Sequence, residues 1–440
     1  MRKTLFIAIL LFSFITIASA QWRCKSEIGT YQKPISKKIP QLTWSFELMV
    51  SGAYIDHHVA TNDFGILALN FQHKKHKIYL EGGVKVYDIY DFKNKLNTYY
   101  LRPGAKEFFY QYSDKKLGRI TLGMHSMRSN DEYLLNERAV GITYKLPLKV
   151  GAITLNAGSV KKDFSINGTF CTTGYLYDIM PERVRRLGGN GLGQTNFTLI
   201  SYDFKPERKK KVVDEFGSED EFASTDEPNK YAPKVNNLGV VGYTEFGSWI
   251  PKPVSLGGIY ANIDLGAGIF LSPELLYQHY QDSLSSNLHG LVYAAKLVKR
   301  FNWKTNHQTQ INLYYFGFHG FTENTIAMNS FSNIFGGTIL RLDVPELPFI
   351  KTGIRHIFPK DLKSSFFKNL EFKLFGTTQM IKDGMWEFDF EVGKTFHTSK
   401  LFKMGIMINL QYAYMFGPFD GALLPYRGAN MVRLECRFTL

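Results

Sequence analysis

The chain has 440 residues, with 53 Lys and Arg against 39 Asp and Glu, a formal net charge of +14, 15% aromatic residues and three cysteines. Cysteines at 24, 171 and 436 are too few and too scattered for a disulfide framework or a zinc cluster, and beyond the first residues no apolar run approaches the roughly 20 residues of a spanning helix. A mean hydropathy of −0.18 fits a strand-built membrane wall, because strands apolar on one face and polar on the other average to near neutrality.

Arg2 and Lys3 precede an apolar run from Leu5 to Ile17 and then Ala18-Ser19-Ala20, the build of a cleaved secretory signal peptide over residues 1–20. Arg23 stands where lipid attachment at Cys24 demands a small residue, so a lipid anchor is not expected. Behind an export signal, the positive excess points to anionic lipid or anionic solutes, with no nucleic acid as partner. Residues 21–41, with Pro34 and Pro40, read as a periplasmic N-terminal tail, and 42–440 as a single domain.

That domain opens on period-two segments. Trp44, Phe46, Leu48 and Val50 oppose Glu47, and Leu80, Val84 and Val86 oppose Glu81 and Lys85. Turn residues separate them, as in His73-Lys74-Lys75-His76 and Ser113-Asp114-Lys115-Lys116. Asp56-His57-His58 falls just past the first strand and reads as a solvated loop. His125 and Ser126 are adjacent on a strand and should face opposite sides, which excludes a base and nucleophile pair; no catalytic residue is expected, and no metal site or cofactor, since the histidines lack HExxH or paired spacing.

Two segments leave the strand rhythm. Residues 161–194 carry Arg183, Arg185 and Arg186 and the glycines at 188–193, and form a candidate constriction loop that would narrow a pore and favour anions; an ordinary surface loop is the alternative. Residues 205–234 carry Arg208-Lys209-Lys210-Lys211 followed by a run of acids, a composition that predicts a long mobile loop.

Alternation resumes with Leu340, Leu342 and Val344 against Arg341 and Asp343, and with Leu370, Phe372 and Leu374 against Glu371 and Lys373. It is cleanest where Trp386, Phe388, Phe390 and Val392 oppose Glu387, Asp389 and Glu391. Charges at the midplane of a barrel's lipid face cost up to about 2–4 kcal/mol for Arg or Lys and less for acids, so the charged face is expected to line a lumen and the apolar face to meet lipid. Met404 to Phe416 continues the pattern, and the chain closes on Val432, Leu434, Cys436, Phe438 and Leu440 against Arg433, Glu435 and Arg437.

These features together resemble the porin-like outer-membrane β-barrels of Gram-negative bacteria: the export signal, the two-residue rhythm through nearly all of the mature chain, aromatic residues sufficient for interfacial belts, and a final strand with Phe438 and Leu440 in outward register. The resemblance implies an all-β transmembrane antiparallel barrel of 16 or 18 strands, multi-pass in the cell outer membrane. It also implies contact with outer-membrane lipids including lipopolysaccharide, and recognition by the barrel-assembly machinery during biogenesis. The expected function is a channel for passive diffusion of small hydrophilic solutes with a bias toward anions. The alternative is a non-conducting barrel subunit of a larger outer-membrane secretion or assembly complex, with further protein partners.

Overall fold

The computed structural model describes residues 40–55, 58–130, 134–160, 195–204, 234–248, 253–281, 287–303, 307–320, 348–359, 366–380, 386–397, 405–416 and 428–439, together with 362, 364 and 384. These residues form eighteen strands in chain order: β1 (Gln41–Ile55), β2 (His58–His73), β3 (His76–Asp91), β4 (Leu96–Asp114), β5 (Gly118–Arg128), β6 (Asn136–Leu148), β7 (Gly151–Val160), β8 (Thr195–Phe204) and β9 (Lys234–Phe246). They continue as β10 (Val254–Gly266), β11 (Ile269–Gln281), β12 (Asn287–Asn302), β13 (Gln308–Gly320), β14 (Phe349–Ile357), β15 (Leu370–Gln379), β16 (Trp386–His397), β17 (Gly405–Phe416) and β18 (Gly428–Thr439).

Each strand pairs antiparallel with the next, and β18 returns to pair with β1 from Glu47 opposite Thr439 to Ile55 opposite Met431. The sheet is therefore a closed all-β barrel of 18 strands, the larger of the two expected numbers. Closure gives every strand a neighbour on both sides, which is what a wall in hydrocarbon requires, although β4 pairs with β5 only from Phe108 to Asp114.

Alternation puts the two side-chain sets on opposite faces of this single wall. On β16, Trp386, Phe388 and Phe390 are exposed, while Glu387 and Asp389 between them are buried at 1% and 5%. A one-residue slip of β16 would carry Glu387, Asp389 and Glu391 to the outer face, so the register is set by the charge pattern. Among the described residues, exposed large apolar side chains such as Trp44, Leu67, Leu101, Ile200, Ile259, Ile354 and Leu434 form an outer band around the wall.

The antiparallel meander gives the barrel two rims. The rim where β1 begins and β18 ends, here called the terminal rim, carries short turns made by local chemistry. Lys74 takes a left-handed φ of 52° in the two-residue turn between β2 and β3. After β4, Asp114 Oδ1 accepts the backbone N–H groups of Lys116 and Leu117 at 2.8 and 3.0 Å, an Asx turn. The charged stretch predicted as a loop over 205–234 connects β8 to β9 on this same rim; Lys234 already belongs to β9, and 205–233 lie outside the described residues. The opposite, distal rim receives the connection 161–194, also outside the described residues, as are the signal peptide, the tail to residue 39 and the strand expected at 340–344. His58 is a correction: it begins β2, opposite Ile55 and Asp91, because the β1–β2 connection is shorter than a solvated loop over 56–58 would be.

Candidate functional site: a two-sided barrel interior

The interior has a charged side centred on the closing seam. On β18, Arg433, Glu435 and Arg437 project inward in successive alternate positions, each no more than 3% exposed. Glu435 pairs with both arginines. Arg437 Nη1 reaches across the seam to Glu47 Oε1 on β1 at 3.0 Å. The same alternation of sign runs away from the seam over β16, β15 and β14. Gln411 Nε2 donates to Glu391 at 3.1 Å, Lys373 Nζ donates to Glu391 at 2.8 Å and stands 3.4 Å from Glu371, and Arg355 Nε donates to Glu371 at 2.6 Å. Four acids and four bases therefore share one ladder. Removing either sign from such a desolvated set leaves buried charge uncompensated.

On the other flank of the seam, Glu81 of β3 binds Lys106 Nζ at 2.8 Å and accepts the Tyr79 hydroxyl at 2.9 Å. Lys85, four residues further along the same face, is fully buried. A register shift after Glu81 turns both Lys106 and Glu107 inward on β4. Glu107 then accepts Ser126 Oγ at 2.7 Å, whereas His125 Nε2 bonds Thr143 Oγ1 at 2.7 Å and Thr143 passes the interaction to Asn156 at 2.6 Å. His125 and Ser126 thus engage different partners. Gly123, at φ 120°, is where β5 makes its bend; a Cβ there would stand 2.4 Å from the Phe108 carbonyl oxygen, so only glycine fits.

Over β8 to β13 the inward set mixes apolar and polar groups. Phe197 and Leu199 on β8, Val241 and Tyr243 on β9, Leu256 and Tyr260 on β10, Leu276 on β11, Val292 on β12 and Phe316 on β13 join Phe349 of β14 in one buried cluster, while Glu245, the acceptor of the Tyr243 hydroxyl, and Glu274 and Gln278, on either side of Leu276, are buried on the same face. The outward set on the same strands is also largely apolar, with Ile200, Val240, Ile259, Leu275 and Leu313 exposed. Apolar residues on both faces weaken the contrast that a period-two reading detects, which is why this wall escaped the sequence analysis. Its lower edge is polar: Tyr260, seated over Gly239 where any Cβ would clash with its ring, donates to Asp203 at 2.5 Å, and Asn237 donates to the same oxygen at 2.9 Å.

A short connection crosses between the two sides. After β5 the chain turns on Ser129, whose N–H donates to the Leu135 carbonyl at 2.8 Å and whose Oγ accepts the N–H groups of Leu134 and Leu135, both at 3.1 Å. This local knot buries Leu134 and Leu135, at 1% and 0% exposure, in the apolar cluster. Asn262 Nδ2 on β10 donates to Asn130 Oδ1 at 3.1 Å. Four strands separate β5 from β10 along the wall, so this bond bridges that sector of the interior.

Of the residues singled out in the sequence, Glu47, Glu81, Lys85, Glu371, Lys373, Glu387, Asp389, Glu391, Arg433, Glu435 and Arg437 lie on the inward positions of their strands, and Trp44, Trp386, Phe388, Phe390 and Phe438 on the outward ones. Arg341 and Asp343, the loop residues Arg183, Arg185 and Arg186, and Leu440 lie outside the described residues.

No protein-family model and no curated protein sequence matches the chain. Solved structures do match. Pseudomonas aeruginosa OccK7 (OpdD) is 9% identical, with a TM-score of 0.52, over 91% of this chain and 98% of that one. OccK2 (OpdF) of the same organism, in complex with glucuronate, is 9% identical with a TM-score of 0.51, over 91% of this chain and 96% of that one. The barrel has the porin fold. At such low identity the likeness is one of backbone path, and the porin fold here carries its own set of inward side chains.

Proposed function

We propose that this chain is an outer-membrane channel of porin type, exported by its signal peptide and passing small hydrophilic solutes by diffusion. The observation that carries the reading is the pairing of an outer apolar band with inward ionised side chains on a closed 18-stranded wall; such groups shape the field of a wet passage. The neighbour crystallised with glucuronate supports a solute of small, polar and acidic character. A bias toward anions rests on the excess of Lys and Arg over Asp and Glu and on the arginines at 183, 185 and 186, because the seam ladder itself is balanced. Ser129 and Asn130, tied to β10, add an inward element to the constriction expected from residues 161–194. Lipopolysaccharide and phospholipid would contact the outer band, and the assembly machinery would take up β18.

Planar-bilayer recording of the purified protein tests this. Discrete conductance steps, with a reversal potential displaced toward that of chloride in a KCl gradient, are expected. Conductance no higher than that of the protein-free bilayer would favour the second reading, a non-conducting barrel subunit of a larger envelope complex. That reading draws on the near-complete burial of Arg138, Arg433 and Lys85, as in an interior filled by its own side chains.

A further inference from the structure

Two histidines meet at the terminal rim. His307 ends the connection between β12 and β13, and His356 is the penultimate residue of β14, facing out beside the inward Arg355. His307 Nδ1 and His356 Nε2 lie 3.4 Å apart. Two nitrogen ligands of one tetrahedral metal, each about 2.0–2.1 Å from it, stand roughly 3.3 Å from one another. The other nitrogen of His356 has a defined partner: Nδ1 is 2.8 Å from Thr309 Oγ1, and the same hydroxyl oxygen accepts Trp303 Nε1 at 2.8 Å. Thr309 thus holds the Nδ1 edge of His356, which turns the Nε2 edge toward His307. This is the outer-shell arrangement that orients metal-ligating imidazoles. Phe358 packs edge-on against both rings, at 5.0 and 4.6 Å between centroids, and limits their rotation.

We propose that His307 and His356 form a two-histidine site for a divalent metal of borderline softness, such as copper, zinc or nickel, at the terminal rim of the barrel. Imidazole suits these ions, and carboxylate-preferring calcium and magnesium would not compete. Among the described residues no group of three or more histidine, cysteine, aspartate or glutamate side chains is placed to hold a metal, so water completes the coordination and binding is moderate. The bound ion ties the β12–β13 connection to the end of β14. The site is independent of whether the pore conducts.

The test is a Cu²⁺ titration of the full-length barrel in detergent, followed by tryptophan fluorescence and by electron paramagnetic resonance. Saturable quenching is expected, because Trp303 shares Thr309 with His356, together with a spectrum showing two nitrogen ligands. His307→Ala and His356→Ala should each weaken binding at least about tenfold, Thr309→Val about tenfold, and His279→Ala, in the separate His279–His289 ring pair, not at all. Trp303→Phe should abolish the quenching from this site and keep the two-nitrogen spectrum. Unchanged affinity in His307→Ala and His356→Ala would overturn the site, as would a wild-type spectrum with no nitrogen ligand or a single one, a readout that needs no variant to fold.

Discussion

The two sides of the barrel interior solve the same packing problem with different proportions of charged and apolar groups. Around the seam, from β14 through β18 and on to β4, inward positions carry ion pairs that neutralise one another. From β8 to β13 aromatic and aliphatic groups form most of a buried cluster, with Glu245, Glu274 and Gln278 set among them. The charged side gains little net stability from its pairs, because desolvation offsets attraction, yet it is intolerant of losing one member. The apolar side gains with every buried methylene and tolerates swaps of similar volume.

The largest expected effect breaks the charged side. Glu435→Ala leaves Arg433 and Arg437 without their shared acid and should lower unfolding stability by about 3–5 kcal/mol, read by urea titration of the barrel folded in vesicles. A loss below about 1 kcal/mol would mean that these arginines are bathed in water and that the two sides differ less than their burial indicates. Leu276→Ala probes the apolar side, where Leu276 is 2% exposed. A loss of about 2–5 kcal/mol in the same assay follows if this side is packed as a core, whereas an unchanged midpoint would mark it as the open wall of a passage.

The smallest effect belongs to an ion pair on the rim, which serves as the control for the ladder. Lys75 holds the Asp114 carboxyl well below the usual carboxylate range through a direct hydrogen bond, aided by the N–H groups of Leu117 and Lys116. Because the folded form lowers this pKa, its contribution is present above the ordinary carboxylate range and is lost as pH falls through the lowered value. The pair lies on the rim with its Lys75 side chain exposed, so Lys75→Ala should shift the heat-modifiability midpoint far less than Glu435→Ala does, and the shift should shrink in high salt. A comparable shift from both variants would erase the distinction between ladder and rim.

How much of this was legible in the sequence follows the same division. Where one face is charged and the other apolar, as in Trp386–Val392 or Val432–Phe438, the period of two identifies both the strand and its faces. The closing strand and the even strand number follow from that rhythm. Over β8 to β13 apolar residues fall on both faces and only a few polar ones, such as Glu274 and Gln278, mark the inner side, so these strands were not read from the sequence. The bend at Gly123, which turns a neighbouring pair of residues to new partners, depends on a left-handed φ that no local pattern announces. The constriction expected in the long arginine-bearing segment 161–194 lies outside the described residues. Among the described residues, the ends of a seven-residue connection are held by one serine hydroxyl and by an asparagine pair 132 positions apart in the chain, a contact that only the closed barrel creates.

That contact offers the most direct test of a passage bounded by two unlike sides and narrowed between them. With Asn130→Cys and Asn262→Cys introduced after replacement of the native cysteines, oxidation should cross-link the β5–β6 connection to β10 in the folded barrel. Single-channel conductance should stay at the wild-type level when oxidised and rise on reduction, once neither asparagine holds the connection. Failure of the cross-link to form in the folded barrel, or a conductance indifferent to both oxidation and loss of the asparagine pair, would contradict the account.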